Sequence, residues 1–324
     1  MQAILAVTAP FFALILMGYL AARSGLLPLD SVPGLNTFVL YVALPAMLLR
    51  FGMNTPVVQL FDPVVMGLYL SCAALVVTAA LLLGRSFGLS LRDASFSALV
   101  AAFPNSGFIG VPLLVALLGT GAAGPLICTL LADIFITTGA CVALSQAGKG
   151  QADQGFIKRL ITALAAPLRN PQPWAIALGA LLSALQWRLS GPVNDIVRML
   201  ADAASPVALF TLGAVLWRTR PAAGSVSRLP AVAAAMGLKL LVHPALVLTA
   251  CLIVQQAGVA LSPLTVMTVT LVAALPSASN VVMLAERFGA DSGIVARIVL
   301  GSTVVAFGSF SLLAWFFGVQ PGSA

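Results

Sequence analysis

The chain has 324 residues, a formal net charge of +7, and a composition that is 60% hydrophobic but only 8% charged, with a mean hydropathy of +1.08. About a quarter of the residues of a soluble domain are charged, so this chain lacks the polar groups to cover a water-facing surface, and lipid must be its solvent. The basic balance does not indicate nucleic acid, because there is no basic cluster with interleaved aromatics and most charges flank apolar runs, where they act as topology signals. Cys72, Cys128, Cys141 and Cys251 all lie inside apolar runs without metal-ligand or CxxC spacing and read as packing residues. The first apolar run, Ala3 to Ala22, is full length and lacks a basic start, so no cleavable signal is expected.

A membrane-spanning helix needs about 20 apolar residues. Ten runs qualify, at 3–22, 33–51, 63–84, 94–118, 122–145, 172–189, 196–217, 229–254, 262–286 and 292–318, numbered here as spans 1 to 10. Unpaired backbone groups are not tolerated in lipid, so each is expected to be helical. The connections after the odd-numbered spans hold twelve basic residues: Arg23, Arg85, Arg92, Lys149, Lys158, Arg159, Arg169, Arg218, Arg220, Arg228, Arg287 and Arg297. The opposite side holds Arg50, Arg188 and Arg198. The bias places the first set in the cytoplasm and both termini outside, with the chain in the plasma (inner) membrane. The connection between spans 5 and 6 is the longest. Its polar stretch Gly148 to Gly155 precedes an amphipathic segment in which Phe156, Ile157, Leu160, Ile161 and Leu164 share one face, either a helix on the inner leaflet or a solvated linker.

That linker divides the chain into a first five-span unit (1–145), a linker (146–171) and a second five-span unit (172–324). Ala43-Leu44-Pro45-Ala46-Met47-Leu48-Leu49-Arg50-Phe51-Gly52 in span 2 matches Ala204-Ser205-Pro206-Val207-Ala208-Leu209-Phe210-Thr211-Leu212-Gly213 in span 7 at the Ala, Pro, Leu and Gly positions. Spans 4 and 9 each carry a proline near the middle, Pro104 and Pro276. Units with an odd number of spans must be inverted relative to one another, and inverted repeats with interrupted helices at corresponding places are a signature of secondary transporters.

The interruptions are the candidate site. Proline lacks an amide hydrogen and its ring clashes with the carbonyl one turn back. Pro104 and Pro276 each lie about ten residues into their span, or about 15 Å deep, near the midplane. A break there leaves amides at the start of the second half-helix, which with the helix dipole make an anion site, and frees carbonyls for a cation or a water. Gly107 and Gly110 permit close approach. Asn105, Ser106, Ser277, Ser279 and Asn280 supply neutral donors and acceptors. The competing reading is a pair of ordinary proline kinks at a helix–helix contact.

Other polar groups lie at depth. Asp133 in span 5 is a lone carboxylate, costing at least about 2.5–3.5 kcal/mol at the bilayer centre. It is either a proton- or cation-coupling group or a protonated structural hydrogen-bond donor. Lys239 and His243 share a face of span 8. Lys239 either counters an anionic substrate, pairs with Asp133, or snorkels to the interface marked by Arg228. His243, the single histidine, is either functional or a satisfied packing residue. Arg198 and Asp202 are placed for a helix-surface salt bridge, Arg50 for snorkelling, Asn36 and Tyr41 for either cavity or packing, and Glu286 and Arg287 for the interface.

Phe38-Val39-Leu40-Tyr41-Val42-Ala43-Leu44-Pro45, Phe103-Pro104-Asn105-Ser106-Gly107-Phe108-Ile109-Gly110-Val111-Pro112 and Leu275-Pro276-Ser277-Ala278-Ser279-Asn280 resemble the auxin efflux carrier family, whose bacterial members are often described as malonate or malate permeases. The resemblance covers essentially the whole chain. It implies an all-α integral membrane fold of ten helices in two inverted five-helix repeats with crossed broken helices 4 and 9. It further implies a scaffold domain (spans 1, 2, 6 and 7), a transport domain (spans 3–5 and 8–10), elevator-type movement of a small organic anion, and a homodimer. The residues it carries over are Pro104, Asn105, Pro276 and Asn280. The plant exporters have a long cytoplasmic loop that this chain lacks, which argues against indole acetate. Bile-acid and sodium/proton carriers share the crossover, leaving the coupling ion, Na+ or H+, open; no other cofactor and no metal are expected. The alternatives are a sodium- or proton-coupled carrier of another anion class, bile-acid- or auxin-like, and a transport-dead membrane sensor. Serine chemistry would have only His243 as base, and aspartyl chemistry would need a second mid-membrane carboxylate beside Asp133, so an enzyme is not expected. Neither an acidic ring nor a carbonyl filter marks a channel.

Overall fold

The computed structural model describes residues 1–147, 168, 170–219 and 228–319. The amphipathic segment expected at 156–164 and four of the linker-side basic residues, Lys149, Lys158, Arg159 and Arg169, lie outside the described residues, as does Arg220.

The described residues form helices α1 (Gln2–Arg23), α2 (Leu29–Asn54), α3 (Pro63–Ser86), α4 (Leu91–Ala102), α5 (Ser106–Leu118), α6 (Thr120–Gln146), α7 (Pro171–Ala184), α8 (Gly191–Arg218), α9 (Leu229–Gln256), α10 (Pro263–Ala274), α11 (Asn280–Phe288) and α12 (Ser292–Phe316). Seven helices among the described residues are long and apolar enough to cross a membrane. The other three expected spans have different fates. Spans 4 and 9 are each split in two, as α4 with α5 and α10 with α11, and span 6 is the 14-residue helix α7.

Helix starts follow the local chemistry of the chain. Asp62, Ser90, Ser262 and Asp291 each accept hydrogen bonds from amides of the first turn they precede, satisfying donors that a helix start leaves free. Wide π turns at Val39–Ala43, Ser106–Gly110 and Leu238–Val242 stand directly before Leu44-Pro45, Val111-Pro112 and His243-Pro244. A proline ring clashes with the carbonyl four residues back, and a wider turn moves that carbonyl aside without ending the helix. A fourth π turn, Asp133–Thr137, has no proline; there the Thr138 hydroxyl donates to the Asp133 carbonyl at 2.8 Å.

The core sits around α4 and α10. Every residue from Ala94 to Ala102 is buried, as is every residue from Thr268 to Ala274. Both half-helices therefore lead into the breaks from the interior of the protein.

A second set of contacts links α1 to α8 and α2 to α7. A Cβ on Gly18 would overlap the Phe210 carbonyl, and one on Gly213 the Ile15 carbonyl; likewise a Cβ on Gly179 would overlap the Leu49 carbonyl, and one on Gly52 would press on the Ile176 carbonyl. Ile15, Gly18, Leu49 and Gly52 stand 161 residues before Ile176, Gly179, Phe210 and Gly213. One contact is thus made twice with the roles of the two stretches exchanged, and the matched ten-residue segments supply one side of each. The salt bridge expected between Arg198 and Asp202 does not form. Arg198 pairs with Asp195 at 3.2 Å and Asp202 with Arg50 at 2.9 Å, because α2 and α8 bring Arg50 across to Asp202.

Gly213→Ala is expected to destabilise the protein by about 1–3 kcal/mol, since its methyl has only backbone to displace. Gly34→Ala, in a helix with nothing within 4 Å of the new methyl, is expected to be neutral or stabilising by about 0.5–1 kcal/mol. Thermal unfolding of the two variants in detergent checks the difference.

Candidate functional site

The site begins with what the two prolines do to the backbone. Phe103 and Leu275 leave the helical region, with ψ of 108° and 153°, and the chain runs extended through Pro104 and Pro276. Each extended segment carries polar groups that its own helix cannot satisfy. The two segments satisfy one another: the Asn105 amide donates to the Pro276 carbonyl at 2.8 Å, and the Ala278 amide donates to the Phe103 carbonyl at 3.0 Å, an antiparallel bridge between Pro104 and Ser277. The Ser277 hydroxyl donates to the Val100 carbonyl at 2.7 Å, and its amide donates to the Ser302 hydroxyl on α12 at 3.1 Å. Gly110 packs under the Leu275 side chain, which a Cβ would strike, whereas at Gly107 a Cβ would meet nothing nearer than Leu44 at 3.8 Å.

This mutual pairing uses carbonyls expected to be free for a cation and leaves particular donors unused. The amides of Ser279 and Asn280, at the start of α11, make no hydrogen bond among the described residues. Asn105 is 5% exposed; its Oδ1 accepts from the Phe108 amide at 3.4 Å, and its Nδ2 has no partner. The buried Ser106 hydroxyl is unpartnered as well.

A cavity of about 310 Å3 lies against these groups. Pro104, Asn105, Gly107, Ser279 and Asn280 line it, with Leu44, Phe108 and Ile134 among its apolar walls. Tyr41, Thr138, Asn170, Gln172 and Arg287 add polar edges. Of the sequence candidates, Ser106, Pro276, Ser277, Asp133, Lys239 and His243 do not line this cavity. Ser277 and Pro276 instead hold the two breaks together. Tyr41 faces the cavity, while Asn36 is buried elsewhere with its amide on the Met283 sulfur at 3.4 Å.

Asp133, Lys239 and His243 form a second, fully buried polar cluster. Both Asp133 oxygens accept hydrogen bonds, from the Tyr69 hydroxyl at 2.8 Å and the Thr137 hydroxyl at 2.9 Å. The Tyr69 ring lies 5.5 Å from the His243 ring. His243 Nδ1 is 3.5 Å from Lys239 Nζ, and Lys239 donates to the Ala273 carbonyl at 2.9 Å. Lys239 therefore does not snorkel. It caps the C-terminal end of α10, where a cation complements the helix dipole, three residues before Pro276. No ion pair within 4 Å joins Asp133 to Lys239 among the described residues. Asp133 acts as acceptor to both of its partners, and a neutral tyrosine and threonine relieve its burial without a second charge.

Sequence reasoning passed over Tyr69, Ser302, Gln172 and the cavity-facing position of Arg287. Tyr69 carried a usable signal as a phenol in the middle of an apolar span, since a buried hydroxyl needs a partner. Ser302 and Gln172 carried none, because small or amide side chains near helix ends and contacts are common.

The described residues are all-helical, with seven helices long and apolar enough to cross a membrane, as in a multi-pass membrane protein. The family model described as Membrane transport protein matches residues 3–315, and the chain belongs to that family, the one of the auxin efflux carriers. A protein of Rhizobium meliloti (strain 1021) named "Putative malonate transporter" is 30% identical over 308 residues, which cover 92% of this chain and 90% of that protein. An "Uncharacterized transporter" of Methanothermobacter thermautotrophicus is 26% identical, and "Uncharacterized transporter YfdV" of Escherichia coli (strain K12) is 25% identical, each over 92% of this chain and 93% of the relative.

Tyr69→Phe removes one of the two donors to a buried carboxylate and is expected to cost about 1–3 kcal/mol. Tyr41→Phe, on an exposed wall of the cavity, is expected to leave stability unchanged. Denaturation followed by intrinsic fluorescence compares them.

Proposed function

We propose that this protein is a secondary transporter that carries small organic anions, mono- or dicarboxylates, by alternating access. The observation that carries this reading is the mating of the two breaks: it consumes the interruption's own carbonyls and leaves the Ser279 and Asn280 amides and Asn105 Nδ2 without partners among the described residues, on three residues that line one cavity. Unused N–H donors at a helix start favour negative charge, and at bilayer depth they cost free energy unless a ligand or water meets them. The cavity is at the small end of the range for ligand sites, about 300–1,000 Å3, which suits a compact anion better than a bulky one. The malonate named for the Rhizobium relative is such an anion.

In this reading the chain has ten spans in two inverted five-span repeats, with α4–α5 and α10–α11 as crossed broken helices. The contact repeated 161 residues apart supports it, because exchanged roles are what a two-fold axis between units produces. Spans 1, 2, 6 and 7 are the scaffold, knit by those glycine contacts. Spans 3–5 and 8–10 are the transport domain. Within it, the Tyr69–Asp133 and His243–Lys239 groups join α3, α6, α9 and α10. At one membrane surface Arg228 bridges Asp291 at 3.1 Å and Asp93 at 3.9 Å. The transport domain slides past the scaffold as an elevator. Asp133 takes up the coupling proton or sodium ion, and Lys239, through Ala273, ties that event to the broken helix. The protein works as a homodimer in the plasma membrane with both termini outside.

Asn105→Ala, which removes Nδ2, and Asn280→Pro, which removes the amide at a first helical position where proline is tolerated, are each expected to lower carboxylate uptake by proteoliposomes at least about tenfold, the loss of a charge-assisted hydrogen bond. Wild-type uptake in both variants would remove the anion site from the breaks. Asp133→Asn is expected to abolish gradient-driven accumulation while leaving substrate counterflow. Accumulation that persists in this variant would take the coupling role away from Asp133.

A further inference from the structure

We infer that Arg287 is a second carboxylate-recognition point in the cavity, and that it selects dianions over monoanions. This rests on the anion site proposed at the broken helices and names its substrate class. Arg287 lines the same cavity as Asn105, Ser279 and Asn280. It is exposed, and among the described residues it makes no hydrogen bond or ion pair. Other arginines near this end of α11 are already engaged: Arg92 donates to the Gly289 carbonyl at 3.0 Å, and Arg228 is held by Asp93 and Asp291. Among the described residues, Arg287 is the only cation that lines the cavity.

The register of α11 places the two recognition points in line. Asn280 and Arg287 are seven residues apart, two helical turns within about 20°, so both stand on one face about 10.5 Å apart along the axis. Side chains on a helix lean toward its N-terminus, which brings the Arg287 guanidinium back over the turn that separates it from the free amides. A carboxylate held by the Ser279 and Asn280 amides and by Asn105 Nδ2 then directs its far end toward the guanidinium. A second carboxylate there meets a planar fork that binds it through two parallel hydrogen bonds. A monocarboxylate leaves the fork in water. Asn105 supplies what a bare helix start would lack: a side chain that is 5% exposed, unpartnered at Nδ2 and part of the cavity wall.

The test uses the full-length protein in detergent and proteoliposomes with malonate, succinate and propionate as probes, read by thermal shift and by inhibition of counterflow. Arg287→Gln is expected to weaken malonate and succinate at least about tenfold, as expected for a lost hydrogen bond to a charged group, and to leave propionate within about a factor of three. Arg287→Lys is expected to fall between, because it keeps the charge and loses the fork. Asn105→Ala is expected to weaken all three probes. Equal losses for all probes in Arg287→Gln, or no loss for any, would overturn the inference while leaving the anion site intact. If Asn105→Ala binds all three like wild type, or if wild type binds none, the anion site itself fails and the role of Arg287 with it.

Discussion

Two hydrogen bonds between broken helices organise this molecule. Asn105 donates to the Pro276 carbonyl and Ala278 to the Phe103 carbonyl, and each bond exists because a proline has taken the backbone out of its own helix. Buried polar groups must be paired. Neither interruption is tolerable alone at this depth, and each is tolerable against the other. The constraint explains why α4 and α10 are buried on every side where they approach the breaks, why Gly110 sits under Leu275, and why Ser277 reaches back to Val100. It also explains which donors remain for a ligand, because those the two segments share are already spent.

Two kinds of packing surround that junction. The α1–α8 and α2–α7 pairs meet backbone to backbone at glycines, the close approach that van der Waals packing between membrane helices rewards. Around α3, α6, α9 and α10 the contacts are polar: Tyr69 and Thr137 on Asp133, and Lys239 on Ala273. Such a network is costly to open in a low dielectric. Four helices sharing one therefore tend to stay together. The two kinds of contact support the proposed division into a scaffold and a moving domain.

Much of the site was legible in the chain because proline and membrane depth are both readable locally. Pro104 and Pro276 near the middle of apolar runs predict interruptions, and the matched segments around Pro45 and Pro206 predict a repeated role; both expectations meet a structural counterpart in the split spans and the repeated glycine contact. Local signals misled at Arg198, whose spacing to Asp202 suits a salt bridge, because spacing along one helix says nothing of Arg50 arriving from another.

By itself the sequence determined the membrane class, the place of both breaks along the chain, the isolation of Asp133 among apolar residues, and the family. These depend on composition, the helical period and backbone chemistry, which act over a few turns. The tertiary structure alone decided that the two breaks pair with one another and that Lys239 caps α10 instead of reaching an interface. It alone decided that Tyr69 and Thr137 satisfy Asp133, and which polar groups share the cavity. Those outcomes join residues tens to hundreds of positions apart, and no local propensity encodes which distant partner will satisfy a buried donor.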